Sequence, residues 1–376
     1  MKTFSVIFTI VVVLVLISAG TRAQPVDAEI ILEAGVAYTL GDIEKAVGSN
    51  ETFDYDGSTE CFSGDKSKGG TQTATCKRDL VIKGTLMIGA GETLKMDAGK
   101  NIRVDQGGTL KVIGTQDAWA TITSIDGTGY TFLVDARKGG FEMKYAKLAH
   151  CGQGPLLNGQ PTRACGLWIL GNNIIIEHCV FTRNYIGLIV QGNNAIIRHN
   201  KFFGNTSYGL ALRDGKNATV EKNEFYDNGN AILLHTTASS RIINNHIDNS
   251  NGINLMWKAS DNTLSSNVVI NAMRNAFQIR SYCTNNLFEN NKVFASGTGC
   301  WLGGGAEANV IKSCSFNKCN TGVYFYGSRG NKLVNCKIIN SSRADIQFGN
   351  DAHNECVNTE FDTLKKLDAL STLDLK

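Results

Sequence analysis

A glycine or alanine followed by an apolar residue recurs at Gly166, Gly187, Gly209, Ala231, Gly252, Ala276, Gly299, Gly322 and Ala344, at intervals of 21 to 24 residues. Nine units at so steady a period describe a solenoid, in which each unit is one supersecondary element that buries its apolar side only by stacking on its neighbours. Within a unit such as "GLALRDGKNATVEKNEFYDNGN" from Gly209, an alternating apolar strand leads to a first polar corner, at Asn173, Asn194, Asn217 and Asn285 in different units. A second corner falls on Cys179, Asn200, Asn223, Asn245, Asn267, Asn291, Cys314 and Cys336, and a third on Asn184, Asn205, Asn228, Ser250, Ser296, Cys319 and Ser341. Apolar residues such as Ile197 and Phe202 stand between them.

Three short strands and three corners per turn describe a parallel β-helix of about 22 residues per coil, and nine coils at about 4.8 Å each run for roughly 43 Å. Asparagine suits the corners because it tolerates left-handed backbone angles and its amide both donates and accepts. Asparagines one coil apart can then bond along the axis and satisfy corner groups that would otherwise be buried unpaired. A leucine-rich repeat has a similar length, but its leucine spacing and helical segment are missing.

Residues 1–23 carry Lys2, an apolar run from Phe4 to Ile17 and small residues up to Ala23, the pattern of a cleaved secretory leader. The expected organisation is therefore a leader at 1–23, an N-terminal cap and disulfide-closed loop at 24–79, the β-helix at 80–363 and a C-terminal cap at 364–376. The caps are expected because solenoid ends expose unpaired strand edges. "YTLGDIEKAV" from Tyr38 has apolar residues at helical spacing and suits the first cap, and "LKKLDALSTLDLK" from Leu364 suits the second. The formal charge of +3 includes Lys2 and Arg22, leaving +1 after Ala23, which is no nucleic-acid signature.

Eleven cysteines in a secreted chain imply disulfides, with at least one thiol left over. Cys61 with Cys76 and Cys151 with Cys165 flank polar loops, and Cys314 with Cys336 share a corner in neighbouring coils. Acceptor patterns for N-glycosylation begin at Asn50, Asn205, Asn217 and Asn340.

At these corner and strand residues, over roughly 130 to 361, the chain resembles the right-handed parallel β-helix superfamily of pectate-lyase-like and NosD-type repeat proteins. The resemblance implies the fold and leaves the activity open. On the strand after each Gly start, alternate side chains should face solvent. Those positions include Trp168, Gln191, Arg213, His235, Asn254, Gln278, Arg280, Trp301, Tyr324 and Tyr326, with Asp214, Trp257 and Tyr282 beside them. Aromatic faces for pyranose rings among polar hydroxyl and carboxylate partners make this strip a candidate polysaccharide-binding face.

Two functions remain open: binding or structural engagement of an extended polysaccharide at the cell surface or outside the cell (in the periplasm of a Gram-negative organism), and a polysaccharide lyase or other carbohydrate-active enzyme acting on a uronate-containing glycan. The lyase resemblance implies a base and a carboxylate-neutralising cation, for which Arg213, His235 and Arg280 are the candidates, with calcium as the alternative neutraliser; the binding reading needs no cofactor. "NTD", "GHG" and "DPHD" motifs are absent, and no acidic cluster resembles a calcium site. His178 and His199 precede the second corner in adjacent coils. With Cys179 they suggest copper or zinc, but no further ligand has recognisable spacing, and solvated histidines beside a ladder are the expectation.

Overall fold

The computed structural model describes residues 29–32, 34–40, 73–152, 166–350 and 352–376. The leader, Asn50, Cys61 and Cys165 lie outside them. The described residues form three parallel sheets of 14, 14 and 13 strands, and the chain visits the first, second and third sheet in turn on every coil. Each strand pairs only with those one coil before and after. Register keeps like over like: Leu188, Leu210, Ile232, Ile253, Phe277, Cys300, Val323 and Ile346 form one continuous inward row of the first sheet. Phe181, Phe202 and Phe225 stack at 4.8 Å between ring centroids in the interior, the distance set by the coil rise. The glycine starts answer a close approach: a Cβ on Gly252 would stand 1.9 Å from the carbonyl oxygen of Ala276, and one on Gly187 would stand 2.5 Å from that of Gly209.

The second corner is a buried amide ladder. Asn223 Nδ2 donates to Asn245 Oδ1 in the next coil at 3.0 Å and to the Ile197 carbonyl of the preceding coil at 2.9 Å, while its backbone N–H also donates to Asn245 Oδ1. Asn245 repeats all three bonds toward Asn267 and Val220. The third corner does the same from Asn184 through Asn205 to Asn228. At two second-corner cysteines the thiol takes over the amide's bond to the preceding coil: Cys314 Sγ donates to the Phe288 carbonyl at 3.5 Å and Cys336 Sγ to that of Ile311 at 3.3 Å, whereas Cys179 Sγ donates to the Glu177 carbonyl in its own coil.

Several expectations are corrected here. The ladder asparagines do not hold the left-handed conformation; the residue before each does, with φ between 52° and 56° at His178, His199, Lys222, Asn244, Ser266, Asn290, Ser313 and Asn335. At the first corner, Asn173, Asn194, Asn217 and Asn285 are these exposed left-handed residues. The buried ladder there runs one residue later, through Asn262, Asn286, Asn309, Asn331 and Asn354, with amide contacts of 2.8 to 2.9 Å.

The strands begin before residue 80, since Ile30–Leu32, Ala37–Thr39 and Thr73–Cys76 already pair into the three sheets. Tyr38 is therefore in a strand, and the rest of the proposed first cap from Gly41 lies outside the described residues. The C-terminal tail is no separate cap: Leu364–Lys366 and Thr372–Leu375 add a last strand to the first and second sheets. Cys314 and Cys336 are free thiols, as is Cys151, and all three are buried; Cys76 is buried as well. Asn205 is buried with its amide committed to Phe181 and Asn228, so the folded chain offers no acceptor there, while Asn217 and Asn340 are exposed.

Replacing Asn245 by alanine strips partners from buried groups in the coils on both sides, and should cost about 3 kcal/mol or more at 1 to 3 kcal/mol per orphaned group. Asn245→Cys should lose less, because a thiol at this corner still reaches the preceding carbonyl. Denaturant unfolding of the two variants checks the order.

Candidate functional site

The first sheet's outer face carries the strip named from the sequence. In register, Trp168, Ile189, Ala211, Leu233, Asn254 and Gln278 form one outward row, continued by Trp301 and Tyr324. Gln191, Arg213, His235 and Met256 form a second, which Arg280, just past its strand, continues. Gly303 and Tyr326 extend it further.

The rows point outward as expected but are not open along their whole length. Ile189, Ala211 and Leu233 are buried in a second apolar cluster, separate from the solenoid interior, beneath Trp168, Tyr185, Tyr208 and Met256. Asn254 is buried too, and its Nδ2 donates to Asn230 Oδ1 at 3.1 Å. Tyr185, Tyr208 and Asn230 are missed by a count from the Gly starts. The signal was present: Tyr208 and Asn230 share an outward position one residue before the Gly or Ala that opens each coil.

The polar groups fall into two neighbourhoods. Around Arg213, the guanidinium carbon lies 5.6 Å from the Trp168 ring centroid. Trp168 Nε1 donates to Gln191 Oε1 at 3.3 Å, and Gln191 Nε2 donates to Asp214 Oδ2 at 3.2 Å. His235 Nδ1 is 4.0 Å from Asp214 Oδ1, and its ring is 6.1 Å from Trp257. Burial, followed by the Arg213 charge, holds the His235 imidazole below its ordinary value of 6.5 against the opposing pull of Asp214. Around Arg280, Nη2 lies 3.6 Å from Met256 Sδ. Burial raises the Tyr208 phenol above its usual range, opposed by a hydrogen bond with Asn254 and by the Arg280 charge.

Arg213 Nε and Nη1 and Arg280 Nε are buried without a hydrogen-bond partner. Leaving such donors unpaired is expensive, more so on a charged group. Arg213, His235 and Arg280 do not converge on one point: Arg213 reaches back toward Trp168, while Arg280 lies three coils further on and approaches Met256 and Tyr208.

The flank of the face carries exposed aromatics. Trp257 is 52 % exposed and Tyr282 68 %, both in the left-handed region at φ 56° and 62°. Bulky residues are rarely found there. The Trp301 ring lies against Gly303, where a Cβ would stand 2.8 Å from it. The Tyr324 and Tyr326 rings meet edge to face at 5.7 Å.

His178 and His199 stack face to face at 5.0 Å and 2° on the exposed side of the second corner, continuing from Tyr145. Parallel rings do not converge on one ion, and Cys179 is buried behind them. Among the described residues, no three His, Cys, Asp or Glu side chains are placed to hold a metal ion.

His235 beside Trp257 gives an optical readout. Protonation of the imidazole should quench Trp257 fluorescence with a midpoint below 6.5, and Trp257→Phe and His235→Asn should each remove that step from a fluorescence-detected pH titration.

No curated protein sequence matches the chain. Similar solved structures include the periplasmic alginate epimerase AlgG, at 12% identity over 93% of this chain and 84% of that one in a double-mutant form, with a TM-score of 0.59. The same epimerase without those changes gives 12% identity over 92% and 84% and a TM-score of 0.52. The A-module of a mannuronan C-5 epimerase from Azotobacter vinelandii gives 12% over 78% and 83%, with a TM-score of 0.49. The family model described as "Right handed beta helix region" matches residues 136–293 and 256–367. With three parallel sheets, in-register corners and a match over more than half its length, the chain belongs to the right-handed β-helix family.

Proposed function

We propose that this chain binds an extended, anionic polysaccharide along the outer face of the first sheet. The observation that carries the reading is a pair of half-buried guanidinium groups, on Arg213 and Arg280, that no carboxylate among the described residues pairs and whose inner donors lack partners. A carboxylate or sulfate on the ligand supplies the acceptor each lacks, and Asp214, the one carboxylate among the site side chains, already accepts from Gln191. Trp168, Trp257, Tyr282, Trp301, Tyr324 and Tyr326 offer ring faces along the same track, and Gln278 lies between them. An alginate epimerase sharing the fold supports carbohydrate as the ligand class. The leader-like residues 1–23 support a place at the cell surface or outside the cell, and no helix among the described residues is long and apolar enough to cross a membrane.

A second, enzymatic reading rests on one observation: the half-buried His235 imidazole lies 4.0 Å from Asp214 and near Arg213, and burial with the Arg213 charge lowers its pKa, as suits a general base for proton removal next to a uronate carboxylate. Unsaturated-product absorbance or new reducing ends from uronate glycans, lost in His235→Ala and Arg280→Ala, would establish it.

Titration of tryptophan fluorescence with acidic and neutral polysaccharides tests binding. Arg213→Ala and Arg280→Ala should each weaken an acidic polymer roughly 10- to 100-fold, the equivalent of about 1.5 to 3 kcal/mol for a hydrogen bond to a charged group. Because His235 is neutral above its lowered pKa and gains charge below it, affinity for a polyanion should rise as pH falls through the range under 6.5; His235→Ala should flatten that rise. Equal affinity of the arginine variants and the wild type would sink the proposal.

A further inference from the structure

The outward row that holds Trp168 does not begin there. Register carries it back through Leu133, Arg103 and Val81 to Ile31, on the coils nearest the N-terminus. An open cleft of about 270 Å³ lies over these coils, with Glu29, Asp79, Val81, Asn101, Thr131 and Leu133 in its lining. Its chemistry differs from that of the Arg213 and Arg280 stretch. Leu133 gives it a half-buried apolar side chain, while Val81 in its lining is buried. On one wall, Asp79 Oδ1 accepts from the Asn101 backbone N–H at 2.8 Å and from Asn101 Nδ2 at 2.9 Å, and Thr131 Oγ1 donates to Asn101 Oδ1. On the other, Arg103 is paired with Asp105 at 2.8 Å and lies 3.9 Å from Glu29. Arg103 lines the cleft too, but the Glu29 and Asp79 carboxylates outnumber its one guanidinium, which is already paired with Asp105.

We infer that this cleft is a separate subsite for one uncharged sugar residue, an inference that rests on reading the face as a carbohydrate track. The apolar patch suits the C–H face of a pyranose, and the Asp79, Asn101 and Thr131 wall suits its hydroxyls, which both donate and accept. The volume takes a single ring. The Asp79 and Glu29 carboxylates repel a uronate or sulfated unit, the opposite of the selection made by Arg213 and Arg280. Leu133 pairs directly with Trp168, so the neutral subsite abuts the aromatic start of the cationic stretch. The face would then distinguish the two ends of a glycan by charge.

The test uses the full chain and calorimetric titration with neutral tetrasaccharides of mannan, glucan and galactan, alongside short acidic oligomers of alginate and polygalacturonate. Leu133→Arg projects from the outer face, leaves the interior untouched and fills the cleft with charge; Asp79→Ala removes the hydroxyl-bonding wall. At least one neutral tetrasaccharide should bind, both variants should weaken it tenfold or more at unchanged melting temperature, and short acidic oligomers should not displace it. Should Asp79→Ala fail to fold, Leu133→Arg alone decides. No neutral binding, or neutral binding that survives Leu133→Arg, overturns the subsite. Loss of acidic binding alone would instead overturn the anionic reading of the main face and leave the cleft standing.

Discussion

Everything in this molecule depends on hydrogen bonds between side-chain amides one coil apart. A chain that turns three times per coil must bury backbone N–H and C=O groups at bends where no sheet pairs them, and such groups cannot be left orphaned. A single asparagine per corner meets that demand twice: Asn223 satisfies the carbonyl of Ile197 behind it, while Asn245 receives the Asn223 N–H and amide from ahead. The bond works only if the next coil places its own asparagine in register. The period of the sequence and the rise of the solenoid are thus the same constraint seen twice, and the outer face inherits its straight rows from it.

The architecture was legible because stacked coils repeat one environment. Positions that see the same surroundings accept the same residue, so the inward rows and the second and third corners read directly from the spacing. The first corner misled because it carries asparagines at two adjacent positions with different duties. Asn285 adopts the left-handed bend in solvent while Asn286 bonds along the buried ladder, and sequence does not separate a conformational from a bonding role. The tail misled for a related reason: isolated leucines at Leu364, Leu367 and Leu370 fit a cap as well as a last partial coil.

On the outer face, direction was legible and cover was not. Alternation places Ile189 and Leu233 outward, and they are outward, yet Trp168, Tyr185 and Tyr208 fold over them along the axis. Large side chains on parallel strands reach one or two coils away, so burial depends on neighbours some 20 to 45 residues distant in sequence, beyond any local pattern. The same reach separates Arg213 from Arg280. Both stand on one row, but one guanidinium turns toward the start of the solenoid near Trp168 and the other toward Tyr208. A row of residue types in sequence therefore names the participants without saying which of them meet.

Strand pairing limited to the adjacent coils has a consequence for how such a chain is built and altered. Stability becomes a sum of coil terms and nearest-neighbour junctions, as in a one-dimensional array, and disturbance at one level is felt chiefly by the level above and the level below. A whole coil inserted between two others would need only to match their corners, and would lengthen the outer face by about 4.8 Å without disturbing the remainder. The face is in this sense a graduated ruler, whose span is set by the number of coils while its chemistry is written separately at each mark.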